Sequence, residues 1–154
     1  MITPVDKEKS ALLKEEYFSI QKQIELYDEK ALTIKAWSVT VSITGIATAF
    51  HQKAPDLLWI SAFASLLFWI IEVYWKIFQR AFYSRSRKIE GYFGNTNIDI
   101  QPLQISRAWI KSFNKLKKKP ATYLIVFYPH IMLPHVIVTV GGLLLYFLGV
   151  CPRE

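Results

Sequence analysis

"FWIIEVYWK", residues 68–76, sets a single carboxylate, Glu72, in a run that is otherwise apolar and aromatic. A lone charge in such surroundings is costly, so the fold turns on whether this segment lies in a protein core or in a bilayer. The rest of the chain points to the bilayer. Hydrophobic residues make up 52% of the 154 and tryptophan occurs five times. The apolar residues gather into long runs and the charged residues into others, the pattern of an integral membrane protein. Residues 1–30 balance acids against bases and lack the apolar stretch of a signal peptide. The lone cysteine, Cys151, rules out an intramolecular disulfide. It reads as an unremarkable residue at a helix end.

A hydrocarbon core of roughly 30 Å needs about 20 apolar residues of helix. Three segments meet that need: 34–50 ("IKAWSVTVSITGIATAF"), 57–78, and a third within 121–150 that is clearest from Ile131 onward. Only "HQKAPD" separates the first two, and Pro55 turns the chain there, which predicts a tight helical hairpin. Eleven Lys and Arg lie from Lys76 to Lys119, against two acids, Glu90 and Asp99. The 51–56 turn offers Lys53 and the tail Arg153. The excess of basic residues predicts a cytoplasmic N-terminus and middle segment, with the C-terminus on the far side.

The hairpin also suggests a partner for Glu72. Its midpoint falls between Lys53 and Ala54, so Lys35 and Glu72 are each 18.5 residues away. Two straight antiparallel helices bring them to one depth near the cytoplasmic interface, as an ion pair that sets the hairpin register. Separate snorkelling to the headgroups and a part in conduction are the alternatives.

Ahead of the first span, Leu13, Tyr17, Ile20, Ile24, Tyr27, Ala31 and Ile34 recur at intervals of four and three, a heptad seam. It packs either within the chain or around an oligomer axis. "GNTNIDIQP", residues 94–102, is a turn region. In "QISRAWIKSFNKLKKK", Ile105, Trp109, Phe113 and Leu116 form one stripe, and Arg107, Lys111 and Lys115 flank it. Such a helix suits an anionic membrane surface. The same basic residues, with Tyr83, Tyr92, Phe93 and Trp109 nearby in sequence to stack on, also suit the phosphates and bases of a nucleotide.

"FYPHIMLPH" predicts a bend or a short interfacial segment before Ile131, with His130 and His135 satisfied at the interface rather than holding a metal. In the first span Ser38, Ser42, Gly45 and Ala49 form a small-residue stripe fit for close helix packing, as Gly141 and Gly142 do later. Thr40, Thr44 and Thr48 form a second stripe, either more packing or the wall of a pore built by several copies. No catalytic constellation, metal-ligand spacing or cofactor motif is present in the sequence.

The blocks "ALTIKAWSVTVSITG", "FWIIEVYWKIFQ" and "PLQISRAW" resemble those of small bacterial inner-membrane proteins. The layout over residues 12–110 is similar to the SLATT-like, Hailong-type membrane effectors of antiphage systems. The resemblance implies a homo-oligomeric pore in the bacterial inner membrane that depolarises it. Its control would rest with a nucleotide or single-stranded oligonucleotide made by a partner nucleotidyltransferase. The expectation is therefore an all-α membrane protein in four segments: a cytoplasmic helix with the seam (1–33), a transmembrane hairpin (34–78), a basic cytoplasmic helical region (79–120), and an interfacial segment with a third transmembrane helix (121–150). In it Thr40, Thr44 and Thr48 line the pore, Lys35 and Glu72 pair, and Arg107, Trp109, Lys111 and Lys115 meet anionic ligand or lipid. Leu13, Tyr17, Ile20, Ile24 and Tyr27 supply the oligomer seam, and the membrane lipids are partners. The rival reading is a non-conducting scaffold or accessory subunit that docks a cytoplasmic partner.

Overall fold

No proline interrupts residues 5–54, and the first helix, α1 (Pro4–His51), accordingly runs unbroken for 48 residues. It stops where Lys53 takes a left-handed backbone, φ 53°. There the Ala54 N–H reaches back to Ala49 O at 2.9 Å, which caps the last carbonyls. After Pro55 the chain re-enters helix as α2 (Asp56–Phe93). The basic stretch forms α3 (Ile105–Lys117). A 3-10 helix, Pro120–Phe127, follows, and Pro129 begins α4 (Pro129–Phe147). Proline suits a first helical position, because the N–H it lacks would have had no partner there. Gly149, at φ 62°, closes α4, and Val150 N bonds to Leu145 O at 3.3 Å. The computed structural model describes residues 4–94 and 99–152, with the side chains of residues 4 and 5 aside. Residues 95–98 of the predicted turn region and Arg153 lie outside the described residues.

All regular structure among the described residues is helical. Two helices, α2 and α4, are long and apolar enough to cross a membrane. The expected span at 34–50 is helical but does not join them, because Lys35 and five hydroxyl residues dilute its apolar character.

The chain gathers into two compact units. One comprises Met1–Glu29 and Lys76–Thr122; the other comprises Lys30–Trp75 and Tyr123–Glu154. In the first, Leu13, Ile20 and Ile24 from α1 bury against Ile89 and Ile100, with Tyr17, Phe82, Tyr92 and Ile105 packed around them. The seam is thus spent inside its own chain. Leu13 and Ile20 have no exposed surface, so they cannot serve as the predicted oligomer seam in this fold. Tyr27 is half-buried and its ring meets Phe82 at 5.9 Å. Burial raises its phenol above the ordinary 10.0.

In the second unit, Ala49, Leu58 and Cys151 form a small core with Ile46, Leu57, Leu145 and Tyr146 around it. The Cys151 thiol is buried and donates to Ala49 O at 3.3 Å. The small-residue stripe does what its composition suggests. Ser38, Ser42 and Ala49 are fully buried, and a Cβ at Gly45 would collide with Ser61 Oγ. A Cβ at Gly142 would sit 3.2 Å from Leu58 O and 3.3 Å from Ala62 Cβ, whereas one at Gly141 would meet nothing. Only the second of the two glycines is a packing residue.

Candidate functional site

Glu72 is fully buried, and the fold gives it two basic neighbours. Lys35 Nζ, from α1, lies 2.7 Å from Glu72 Oε1. This is a close charge contact whose alignment falls short of a hydrogen bond. The two side chains predicted from the hairpin midpoint to meet are thus in contact. His135 supplies the second neighbour from α4, its Nε2 lying 2.9 Å from Glu72 Oε2. The expectation that His135 rests at an interface is overturned, since it has no exposed surface. It reaches the core because Ile131, His135 and Gly142 share the buried face of α4.

The network continues past the imidazole. Ser38 Oγ lies 2.9 Å from His135 Nδ1 and 3.3 Å from Ser65 Oγ, and Ser65 donates to His135 O at 3.2 Å. Trp69 stacks on the imidazole with centroids 6.5 Å apart and planes within 9°. Its own Nε1 donates to Val126 O. With a neutral imidazole, Ser38 donates to Nδ1, which leaves Nε2–H to donate to Glu72. With an imidazolium, Nδ1–H donates to Ser38, whose hydroxyl turns to Ser65. The same heavy atoms satisfy either state, and only a hydroxyl rotates.

A second constellation occupies the other unit. Arg85 on α2 forks onto Glu16 of α1, with Nε to Oε1 at 2.8 Å and Nη2 to Oε2 at 3.0 Å. Arg85 Nη2 also donates to Gln101 O at 2.6 Å, and Glu16 Oε2 accepts the Leu103 N–H at 2.8 Å. Both charges are buried. Two of these four charged hydrogen bonds hold residues 101–103 in place, including Leu103 in a left-handed conformation at φ 60°.

Beside the clamp, Ser84, Arg85 and Lys88 of α2 and Ala108, Lys111, Ser112 and Lys115 of α3 line a groove of about 230 Å³. Two of the predicted anion contacts, Lys111 and Lys115, face this groove. Arg107 does not; it lines a separate hollow with Leu103, Gln104, Ile105 and Ser106. Trp109 does not either. It stacks on Phe113 at 5.1 Å, packs against Phe78 and Phe82, and donates Nε1–H to Phe78 O at 3.1 Å. The apolar stripe of α3 thus docks on α2, and Trp109 is a packing residue instead of a stacking platform. A larger hollow of about 520 Å³ is lined by Lys14, Tyr17, Glu90 and Phe93. Its one acid already accepts from Tyr17 and Ser86.

Of the predicted pore residues, Thr40 and Thr44 are exposed on α1. Thr48 is half-buried and donates to Thr44 O at 2.8 Å, so its hydroxyl is already bonded back to its own helix. No group of His, Cys, Asp and Glu fit for a metal occurs among the described residues. No known protein family, curated protein or solved structure matches the chain. The likeness to SLATT-like effectors therefore rests on the sequence blocks alone.

Proposed function

We propose that this chain is a homo-oligomeric inner-membrane protein whose copies turn α1 toward a shared conducting path, opened or closed by an anionic ligand. On this reading α2 and α4 lie in lipid, the N-terminus is cytoplasmic and the C-terminus is outside. One observation carries the proposal. The buried Lys35–Glu72–His135 contacts bind α1 side by side with the two apolar helices, yet the outward face of α1 exposes Thr40 and Thr44. In hydrocarbon, such a face is better satisfied by water or by another copy than by lipid tails. A single chain with this few helices encloses no pore, so conduction requires assembly.

Mass determination of the detergent-solubilised particle comes first, and a monomer ends the proposal. Ion flux in proteoliposomes follows. Thr40→Val/Thr44→Val should change the flux while the particle mass stays constant, and wild-type liposomes that stay tight with and without ligand refute conduction. Exposed Trp37 and Ile43 beside the threonines, together with the bonded hydroxyl of Thr48, favour the rival scaffold. An oligomer that never conducts is its signature. Topology is checked at Gln52, exposed in the turn. Gln52→Cys in a Cys151→Ser background should react with an impermeant thiol reagent in intact spheroplasts. Cys151 itself is too buried to report.

A further inference from the structure

We infer that the groove between α2 and α3 is a binding site for clustered phosphate groups, recognised by their charge and not by any base attached to them. This rests on the reading of a ligand-controlled conduit, and supplies the ligand's chemistry and its seat. Four basic side chains line the groove, on two facing helices, with Ser84 and Ser112 as hydroxyl donors. Arg85 is already neutralised by Glu16. Among the described residues no carboxylate pairs with Lys88, Lys111 or Lys115. Three ammonium charges therefore face about 230 Å³ of space without a counter-charge.

The donor types narrow the ligand. A planar carboxylate is best held by a guanidinium fork, and the only fork here is engaged on both sides by Glu16 and Gln101. What remains are point-charge ammonium groups and hydroxyls, which suit tetrahedral phosphate. Three positive charges match the two to four negative charges of a di- or triphosphate. Among the described residues no aromatic side chain lines the groove. Of the aromatic residues that adjoin its lining in sequence, Trp109 and Phe113 are stacked on each other and on Phe78, and Tyr83 is not part of the lining. Base stacking, the usual source of nucleobase affinity, is absent from the site. Discrimination among nucleotides should therefore follow phosphate number.

The phosphates can come from a soluble ligand or from lipid headgroups, and the test separates these sources. Inorganic tripolyphosphate is titrated by calorimetry against the full chain in neutral detergent. Saturable binding is expected. It should weaken with salt, and ATP and GTP should compete within about twofold of one another. Lys88→Gln/Lys111→Gln/Lys115→Gln should lower the affinity by at least about tenfold, with helicity and elution volume unchanged. Arg107→Gln, which removes a charge outside the groove, should leave it unchanged. If tripolyphosphate does not bind but phosphatidylglycerol vesicles retain the parent and release the triple variant, the phosphates are those of lipid. Equal behaviour of parent and triple variant in both arms overturns the site. A strong preference for one base overturns recognition by phosphate alone. Binding without any effect on flux leaves the site standing and refutes ligand control; flux with no phosphate binding in either arm overturns the site and leaves conduction standing.

Discussion

Removing Lys35 should harm the protein more than removing the charge of Glu72, although the two form one ion pair. The asymmetry follows from burial. The Glu72 side chain has no exposed surface, whereas that of Lys35 is 20% exposed. At 2.7 Å the pair attracts by about 6 kcal/mol if the effective dielectric is about 20. Desolvation of a buried carboxylate offsets several kcal/mol of that. In Lys35→Met the carboxylate keeps only His135 and stays buried, so the cost should be about 3 kcal/mol. In Glu72→Gln the amide oxygen still accepts from His135, and Lys35 can bend its ammonium to water. About 1–2 kcal/mol is expected there.

The double variant Lys35→Met/Glu72→Gln leaves no orphaned charge, so its loss should fall short of the sum by about 1–3 kcal/mol. The burial of Glu72 puts this coupling above the fraction of a kcal/mol usual for an exposed pair. The measurement is reversible unfolding in mixed micelles, followed by circular dichroism. Additivity within about 0.5 kcal/mol, or a larger cost for Glu72→Gln than for Lys35→Met, would refute the reasoning.

Three further outcomes are expected. Gly142→Val should destabilise by about 1–3 kcal/mol, because a side chain there runs into Leu58 O and Ala62; Gly141→Val, which meets open space, is the matched control in the same melt. Glu16→Ala should cost about 3–5 kcal/mol by stranding the buried Arg85, and limited proteolysis should then cut near Leu103, whose N–H the carboxylate holds. Tyr27 binds its proton more tightly in the folded state, so stability should fall as pH rises above about 10. Tyr27→Phe should flatten that fall, as followed by urea midpoints at pH 9 and pH 11.

How much of this was legible depends on what fixes register. Lys35 and Glu72 flank a four-residue turn, and equal distances along two straight helices made their meeting a matter of counting. His135 joins the same cluster from beyond 60 intervening residues, whose irregular connections fix no register. Its spacing from Ile131 and Gly142 held the only clue, since a polar residue on an otherwise buried face has to find a partner. Glu16 carried a similar clue, falling three residues after Leu13 and four before Ile20 on the seam. Trp109 misled for a physical reason. An apolar stripe beside a basic one looks the same whether it lies on lipid or on a neighbouring helix, and only the aromatic residues Phe78 and Phe82 on α2 decided between them.

The membrane reading gives His135 one more consequence. Between helices in lipid the hydrophobic effect supplies no driving force, and apolar packing alone discriminates poorly between registers one turn apart. The residues α4 offers its neighbours are mostly aliphatic, and His135 is its one fully buried polar side chain. The cluster should therefore matter more for the register of α4 than for net stability, since buried charges are often replaceable by apolar residues without loss. Lys35→Leu/Glu72→Met/His135→Leu should unfold within about 2 kcal/mol of the parent. Its register should nevertheless spread. Thr139 bonds to Ala62 O in the parent, so cysteines at 62 and 139, in a Cys151→Ser background, should crosslink there efficiently, and pairs 62–136 and 62–143 poorly. In the triple variant the three pairs should crosslink to comparable extents. A triple variant that still crosslinks only through 139 would show that Gly142 and its close contact with Ala62 set the register without the charges.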